Sequence, residues 1–319
     1  MSAFEERLRA VFGDRVEPRA PLSPLTTFKV GGPADWLVSV RTAREIAEAI
    51  RIAGAFGVPV TPLGGGSNVL IADTGVRGLV LRIHGGEVVQ IDPAAVRADA
   101  GVTINGLVRW TVNRGIAGIE AWAGTPGTVG GAIYGNAHFQ GRLISELITD
   151  VELIDRTGRM TRVPVADMEF SYDYSRLHRT GEIVVAADFK VVSGDPEHLR
   201  TVARESLAFR KRTQPLEKAS AGCIFQNPDP AVDAVPPDIP PSAGALVDRA
   251  GLKDAAQGRA RVSPRHGNFI VNDGGATARD IAALIERCRR EVSGRFGVQL
   301  KDEIVRLGFD EGTYGRTEG

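Results

Sequence analysis

Cysteine is scarce: the 319 residues hold only Cys223 and Cys288. Two are too few for a disulfide framework in a chain of this length, and a reducing compartment is expected. Net charge is also missing, because 39 Lys and Arg balance 39 Asp and Glu. A chain without a long-range field of one sign is neither a general nucleic-acid coat nor a basic membrane-surface protein. The longest uncharged run, Ala121 to Gly141, is broken by Pro126 and six glycines and cannot be a membrane-spanning helix. Glu5, Glu6, Arg7 and Arg9 stand where a signal peptide needs its apolar stretch, so a cytoplasmic protein is expected. No internal repeat is visible.

What is present is an ordinary soluble composition, 43% hydrophobic and 24% charged, able to bury a core. Glycine is the excess, with 38 residues against a usual share of about 7%. Phe4, Leu8, Val11 and Phe12 share one face of a first helix. Thr42 and Glu45 form a capping box that opens a helix to about Phe56. Strands are expected over Trp36 to Val40, Val58 to Leu63, Leu79 to Ile83, Val88 to Ile91 and Val96 to Ala100, with a helix from Thr103 to about Asn113. Asp150 to Asp155 and Met160 to Val163 read as a hairpin, and Ile183 to Val192 as a further strand. Asp195 and Pro196 open another helix, and the main boundary is expected there. Beyond it come a proline-rich loop from Pro228 to Pro241, a strand near Asn268 to Asn272, a helix from Thr277 to Phe296 capped by Gly297, and a last strand from Val298 to Leu307.

Two glycine-rich stretches follow strands: Gly64, Gly65, Gly66, Ser67 and Asn68, and Gly124 to Ala132. Neither has the Lys-Ser/Thr ending of a P-loop, and neither is a G-x-G-x-x-G turn opening a dinucleotide-binding unit. As a pair they can present backbone N–H groups to a pyrophosphate without supplying a cation.

The run Thr27 to Ala34, the two glycine stretches, Phe170-Ser171-Tyr172, Ser220 to Phe225, His266 to Asn272 and Lys301-Asp302-Glu303 together resemble the signatures of the UDP-N-acetylenolpyruvoylglucosamine reductase family. The likeness runs from about Leu25 to Gly308, and it is closest to the shorter form of that family. It implies an α+β fold: a two-lobed FAD-binding region of the vanillyl-alcohol-oxidase type over residues 1–194, with lobes of about 22–83 and 84–194, then an α+β substrate-binding domain over 195–319.

The resemblance implies FAD, with its pyrophosphate on Gly64, Gly65, Gly66, Ser67, Asn68, Thr125, Pro126, Gly127, Thr128, Gly130 and Gly131, and NADPH as reductant. No metal is implied. The substrate would be UDP-N-acetylglucosamine enolpyruvate, reduced to UDP-N-acetylmuramate for peptidoglycan, with Tyr172 and Asn227 as substrate-binding residues.

The family's catalytic serine corresponds to Cys223, whose thiol is mostly protonated near neutrality and can donate a proton to an enolate. Cys288 lies on an apolar helix face and reads as a core thiol. Glu303 corresponds to the family's catalytic glutamate, either bonding the substrate carboxylate when protonated or orienting a proton path when ionised. The family's arginine position is Asp173. An ionised Asp173 within about 4 Å of a developing enolate would cost about 4 kcal/mol at an effective dielectric near 20. Arg176 is the nearest cation in sequence to compensate it, and is expected to be catalytic. Lys218, Arg210 and Arg212 could hold a diphosphate or serve a solvated face. Two rivals stand beside the reductase: a flavin oxidase of the same fold acting on another substrate, and a flavin-binding relative without turnover.

Overall fold

The structure is a computed structural model and describes residues 1–309; residues 310–319, the end of the expected carboxy-terminal domain, lie outside the described residues. The chain forms two compact units. The first comprises Met1–Ala20, Ala34–Gly65 and Arg77–Phe209; the second comprises Pro21–Pro33, Gly66–Val76 and everything from Arg210 onward that is described.

In the first unit, the opening helix Ala3–Phe12 buries Phe4, Leu8 and Phe12, while Val11 stays exposed. The helix Ala43–Ala55 has the expected reciprocal cap between Thr42 and Glu45, which satisfies donors that a helix start otherwise leaves open. Its buried face is Ile46, Ala47, Ala49, Ile50, Ile52 and Ala53. One sheet has the order Val16–Pro18, Ala34–Val40, Val76–Ile83, Val60–Leu63, the last pair running parallel. The other is a five-stranded antiparallel sheet ordered Met160–Pro164, Ile148–Ile154, Ile183–Lys190, Ala95–Asp99, Val88–Asp92. Strand Ile183–Lys190 lies at its centre and is buried on both faces up to Lys190. That explains its uninterrupted apolar run, where the partly exposed strands alternate.

The second unit has a core of Ile224, Phe225, Leu246, Val247, Leu284 and Ile285, completed by Phe28, Val30 and Leu70 from far earlier in the chain. Helix Ala278–Phe296 carries a capping box of Thr277 and Asp280 and ends on Gly297 at φ 73°. Asp73 adds a second acceptor at its start, taking the N–H groups of Ala278 at 2.9 Å and Arg279 at 3.0 Å. Asn272 donates to the carbonyl of Phe28 at 2.9 Å.

The compact units therefore follow long-range packing, whereas the expected split after residue 194 follows local pattern. Residues 21–33 and 66–76 pack with the carboxy-terminal part, and helix Pro196–Thr213 passes from one unit to the other at Phe209/Arg210. The last strand is shorter than expected, only Val305–Leu307, paired in parallel with Val69–Ile71. Val298 and Leu300 enter the core instead, and Asp302 forms a single bridge to Phe225.

Candidate active site

The first unit holds most of the glycine cradle. Gly127 and its neighbours are pinned from both sides: Ile104 N–H donates to the Gly127 carbonyl at 3.1 Å, Val129 N–H to Val102 at 2.8 Å, and Gly130 N–H to Ala100 at 2.9 Å. Asn105 bonds Gly124 N–H through Oδ1 at 2.7 Å and the Thr125 carbonyl through Nδ2 at 3.1 Å. Gly64 and Gly65 lie against this loop so closely that side chains are excluded. A Cβ on Gly64 would stand 2.4 Å from Thr128 Oγ1, and one on Gly65 2.8 Å from the Gly127 Cα.

Thr128 spends its hydroxyl on capping the short helix Val129–Tyr134, accepting from Gly131 N–H at 3.4 Å. The backbone N–H groups of Gly65, Gly127 and Thr128 have no protein partner among the described residues. A loop pair with bare amides and with side chains excluded at Gly64 and Gly65 is a donor set that a pyrophosphate can use, so these residues fit FAD. The chain then crosses at Gly65/Gly66 into the second unit. There the Gly66 carbonyl accepts from Thr27 N–H at 2.9 Å, and Asn68 Nδ2 donates to the Glu303 carbonyl at 3.0 Å.

Tyr172 sits at the tip of a tight turn, where Ser171 and Tyr174 exchange both backbone hydrogen bonds at 3.2 Å and Asp173 takes a left-handed φ of 52°. Buried Asn136 holds this turn by donating to the Ser171 carbonyl at 2.8 Å, and Ser175 Oγ donates to the Tyr134 carbonyl at 2.7 Å. Tyr172 stays exposed. Asp173 turns inward to His138, with 3.0 Å between Oδ1 and Nδ1. Arg176 is not brought to Asp173. Its guanidinium makes two 2.9 Å bonds to the Glu182 carboxylate and donates to the Asp167 carbonyl at 3.3 Å. The side chain that meets Asp173 is thus His138, a residue the sequence pattern did not single out for that purpose.

In the second unit Cys223 and Glu303 lie on paired segments. Glu303 N–H donates to the Ile224 carbonyl at 2.8 Å and Gln226 N–H to the Lys301 carbonyl at 2.9 Å. Cys223 also bridges Phe269. Asn268, only 3% exposed, accepts at Oδ1 from Ile224 N–H at 3.2 Å and Phe225 N–H at 2.9 Å.

Asp302 is held between two arginines. Arg289 reaches its Oδ1 at 2.5 Å and Arg306 its Oδ2 at 2.8 Å, and both arginines also pair with Glu286. Burial pushes the Glu286 carboxyl up, and the hydrogen bonds from Arg289 and Arg306 more than reverse this, leaving it below the usual carboxylate range. Asn227 accepts from Ala243 N–H at 3.1 Å, at the start of helix Ala243–Arg249.

Of the basic run, Lys218 pairs with Asp273, whereas Arg210 is only 5% exposed. Burial pushes the Arg210 guanidinium down to about 10, with Cys223 acting in the opposite direction. Cys288 is buried, which pushes its thiol up to about 12.

Residues 34–164 match the family described as FAD binding domain, and residues 214–307 match the C-terminal domain of UDP-N-acetylenolpyruvoylglucosamine reductase. UDP-N-acetylenolpyruvoylglucosamine reductase 2 of Symbiobacterium thermophilum is 38% identical over 307 residues, 95% of this chain and 96% of its own. The reductase of Heliobacterium modesticaldum is 39% identical over 92% of this chain and 90% of its own. The crystal structure of the UDP-N-acetylenolpyruvylglucosamine reductase (MurB) from Thermus caldophilus covers 92% of this chain and 99% of that one, at a TM-score of 0.76 and 34% identity.

Fold and cradle define a flavoprotein of mixed α+β structure, with an FAD-binding domain followed by a distinct carboxy-terminal domain. Within that class, the chain belongs to the UDP-N-acetylenolpyruvoylglucosamine reductase family.

Proposed function

We propose that the protein reduces UDP-N-acetylglucosamine enolpyruvate to UDP-N-acetylmuramate in peptidoglycan precursor synthesis, in the cytoplasm. The observation that carries the reading is family membership along nearly the whole chain, at 38% identity over 95% of it. Among the described residues no helix is long and apolar enough to cross a membrane. FAD, when bound, supplies the hydride that reaches C3 of the enolpyruvyl group and takes its electrons from NADPH.

The chain's own residues do the rest. Bare amides at Gly65, Gly127 and Thr128 hold the cofactor's negative charge, joined by the remaining residues of the two glycine loops, Gly64, Gly66, Ser67, Asn68, Thr125, Pro126, Gly130 and Gly131. As the new C–H bond forms at C3, the alkene pair moves to C2 and into the carboxylate. Cys223 gives its S–H proton to C2, and solvent reprotonates the thiolate. Glu303, whose N–H donates to the Ile224 carbonyl, bonds the substrate carboxylate or orients that proton. Tyr172 and Asn227 bind substrate. Arg176 is given a structural part rather than a chemical one, because its guanidinium is bonded to Glu182 and the Asp167 carbonyl.

The test is isotopic. Product formed in heavy water with unlabelled NADPH should carry a solvent deuteron at C2. Oxygen-dependent turnover with another alcohol would instead indicate the oxidase, and bound flavin with no turnover the non-catalytic binder.

A further inference from the structure

Glu303 stands at a crossover in the second unit. The residue before it, Asp302, bridges Phe225, two residues beyond Cys223, and is held by Arg289 and Arg306. After it, Val305–Leu307 pairs in parallel with Val69–Ile71, the strand that follows the first glycine loop. Glu303 and Ile304 lie between the two pairings and belong to no strand. The place of Glu303 therefore has to come from individual hydrogen bonds.

Asn68, the last residue of that loop, supplies two of them. Its Nδ2 donates to the Glu303 carbonyl at 3.0 Å, and its own carbonyl accepts from Val305 N–H at 2.9 Å. A carbonyl oxygen can only accept, so the side-chain nitrogen is the group that must face it. The Glu303 N–H is taken by the Ile224 carbonyl at 2.8 Å. Both backbone groups of Glu303 are thus bonded, one to the residue after Cys223 and the other to the glycine loop. The loop is itself held from behind: the Gly66 carbonyl accepts from Thr27 N–H at 2.9 Å and from Thr27 Oγ1 at 3.3 Å. A Cβ on Gly66 would stand 2.1 Å from the Leu25 carbonyl oxygen. All these residues belong to the second unit. The N–H groups of Ser67 and Asn68 have no protein partner among the described residues. Asn68 therefore keeps its backbone N–H for an anion while its side chain and carbonyl serve the Glu303 segment.

We propose that Asn68 is a positioning residue for Glu303, a member of the cofactor loop whose side chain serves the acid and not the cofactor. This rests on the reductase reading and deepens it. Hydride goes to C3 and the proton to the adjoining C2, so the group that carries the hydride and the acid that serves the second step must keep one spacing. Fastening Glu303 to the loop assigned to FAD ties the two positions together. The fastening acts on the carbonyl of Glu303 itself, so its loss shifts the acid without removing any group that touches substrate. Misplacement by about 1 Å can cost about 100-fold in rate.

The test uses the FAD-loaded protein and two readouts. In Asn68→Ala, hydrogen exchange in the peptide spanning Glu303 to Val305 should quicken by about tenfold, the scale of one lost hydrogen bond. The rate of recolouring by enolpyruvyl substrate, divided by the rate of bleaching by NADPH, should fall by about 10- to 100-fold. FAD affinity should change little, because the loop keeps its backbone N–H groups. An unchanged rate ratio overturns the proposal, even with a lowered melting temperature, since that is the mark of a merely structural residue. Unchanged exchange at Glu303 to Val305 overturns it as well. If Asn68→Ala releases its flavin, Asn68→Ser carries the test; flavin lost from both overturns the proposal, because the side chain would then serve the cofactor. Parent-rate recolouring in Glu303→Ala removes the acid and this proposal with it, and leaves the reductase reading standing. A parent protein that substrate does not recolour refutes the reductase reading itself, which separates the two failures.

Discussion

The side-chain amide of Asn268 closes on the backbone of Phe225 from both ends, accepting from its N–H at 2.9 Å and donating to its carbonyl at 2.7 Å. Phe225 is two residues beyond Cys223, so the thiol's loop is fixed by a residue that never meets the chemistry. Each such bond contributes about 1 kcal/mol net, and stranding its buried partners costs about 1–3 kcal/mol more. Asn268→Ala should therefore lower stability in chemical denaturation by roughly 2–4 kcal/mol. Asn268→Asp, which keeps the acceptor but loses the donor, should fall between the two. Equal stability of Asn268→Ala and parent would contradict this.

The two thiols should behave oppositely. Burial holds the Cys288 thiol at about 12, so native protein should be alkylated at Cys223 alone, as peptide mass mapping would show. Cys223→Ala should leave flavin bleaching by NADPH intact while suppressing product formation. Cys223→Ser should retain activity and resist peroxide, because only the thiol climbs the sulfur oxidation ladder. Turnover of Cys223→Ala at the parent rate would remove Cys223 from the mechanism.

Arg176→Ala removes a two-bond, partly buried ion pair with Glu182. A cost of about 1–3 kcal/mol is expected, between the values for exposed and buried pairs. In a double-mutant cycle with Glu182→Gln, most of that loss should appear as coupling. Substrate affinity or turnover changed far more than stability would return Arg176 to the catalytic machinery.

Mild acid should destabilise the fold. Burial lowers the proton affinity of His266 and of His178, the latter opposed by the Ser175 carbonyl and Asp173. His266 Nδ1 also accepts from Asn268 N–H at 3.2 Å, which needs that nitrogen unprotonated. Both groups bind protons more readily when unfolded. Their stabilising contribution is thus complete above the ordinary histidine range and is lost as pH falls toward the depressed folded values. The melting temperature should drop between pH 7.5 and 5.5, and less so in His266→Gln. An identical pH slope in that variant would show that His266 is not responsible.

Much of this architecture was legible where short-range chemistry decides it. Thr42 with Glu45 and Thr277 with Gly297 mark helix ends through contacts within a turn, and both helices stand as expected. The helix Val129–Tyr134 was not visible, because glycine-rich sequence argues against helix; it is imposed by the Thr128 cap and by loop contacts to Ala100 and Val102. The glycine loops stood out as motifs, whereas the pairing of the Cys223 segment with the Glu303 segment did not, since it joins distant stretches of chain. Nor did the partners of Asp173, Asp302 and Arg210, since His138, Arg289, Arg306 and the surrounding core reach them across long stretches of chain. A charged residue's fate depends on what folds over it, and alternation along its own strand does not report that.

The central claim is that one bound flavin is reduced by NADPH and oxidised by the enolpyruvyl sugar. The most direct measurement is anaerobic stopped-flow absorbance of the purified yellow protein in the visible band of the oxidised flavin. NADPH should bleach the band, and UDP-N-acetylglucosamine enolpyruvate, added without oxygen, should restore it in one turnover with UDP-N-acetylmuramate formed. A band that NADPH bleaches and only oxygen restores would contradict the reductase assignment.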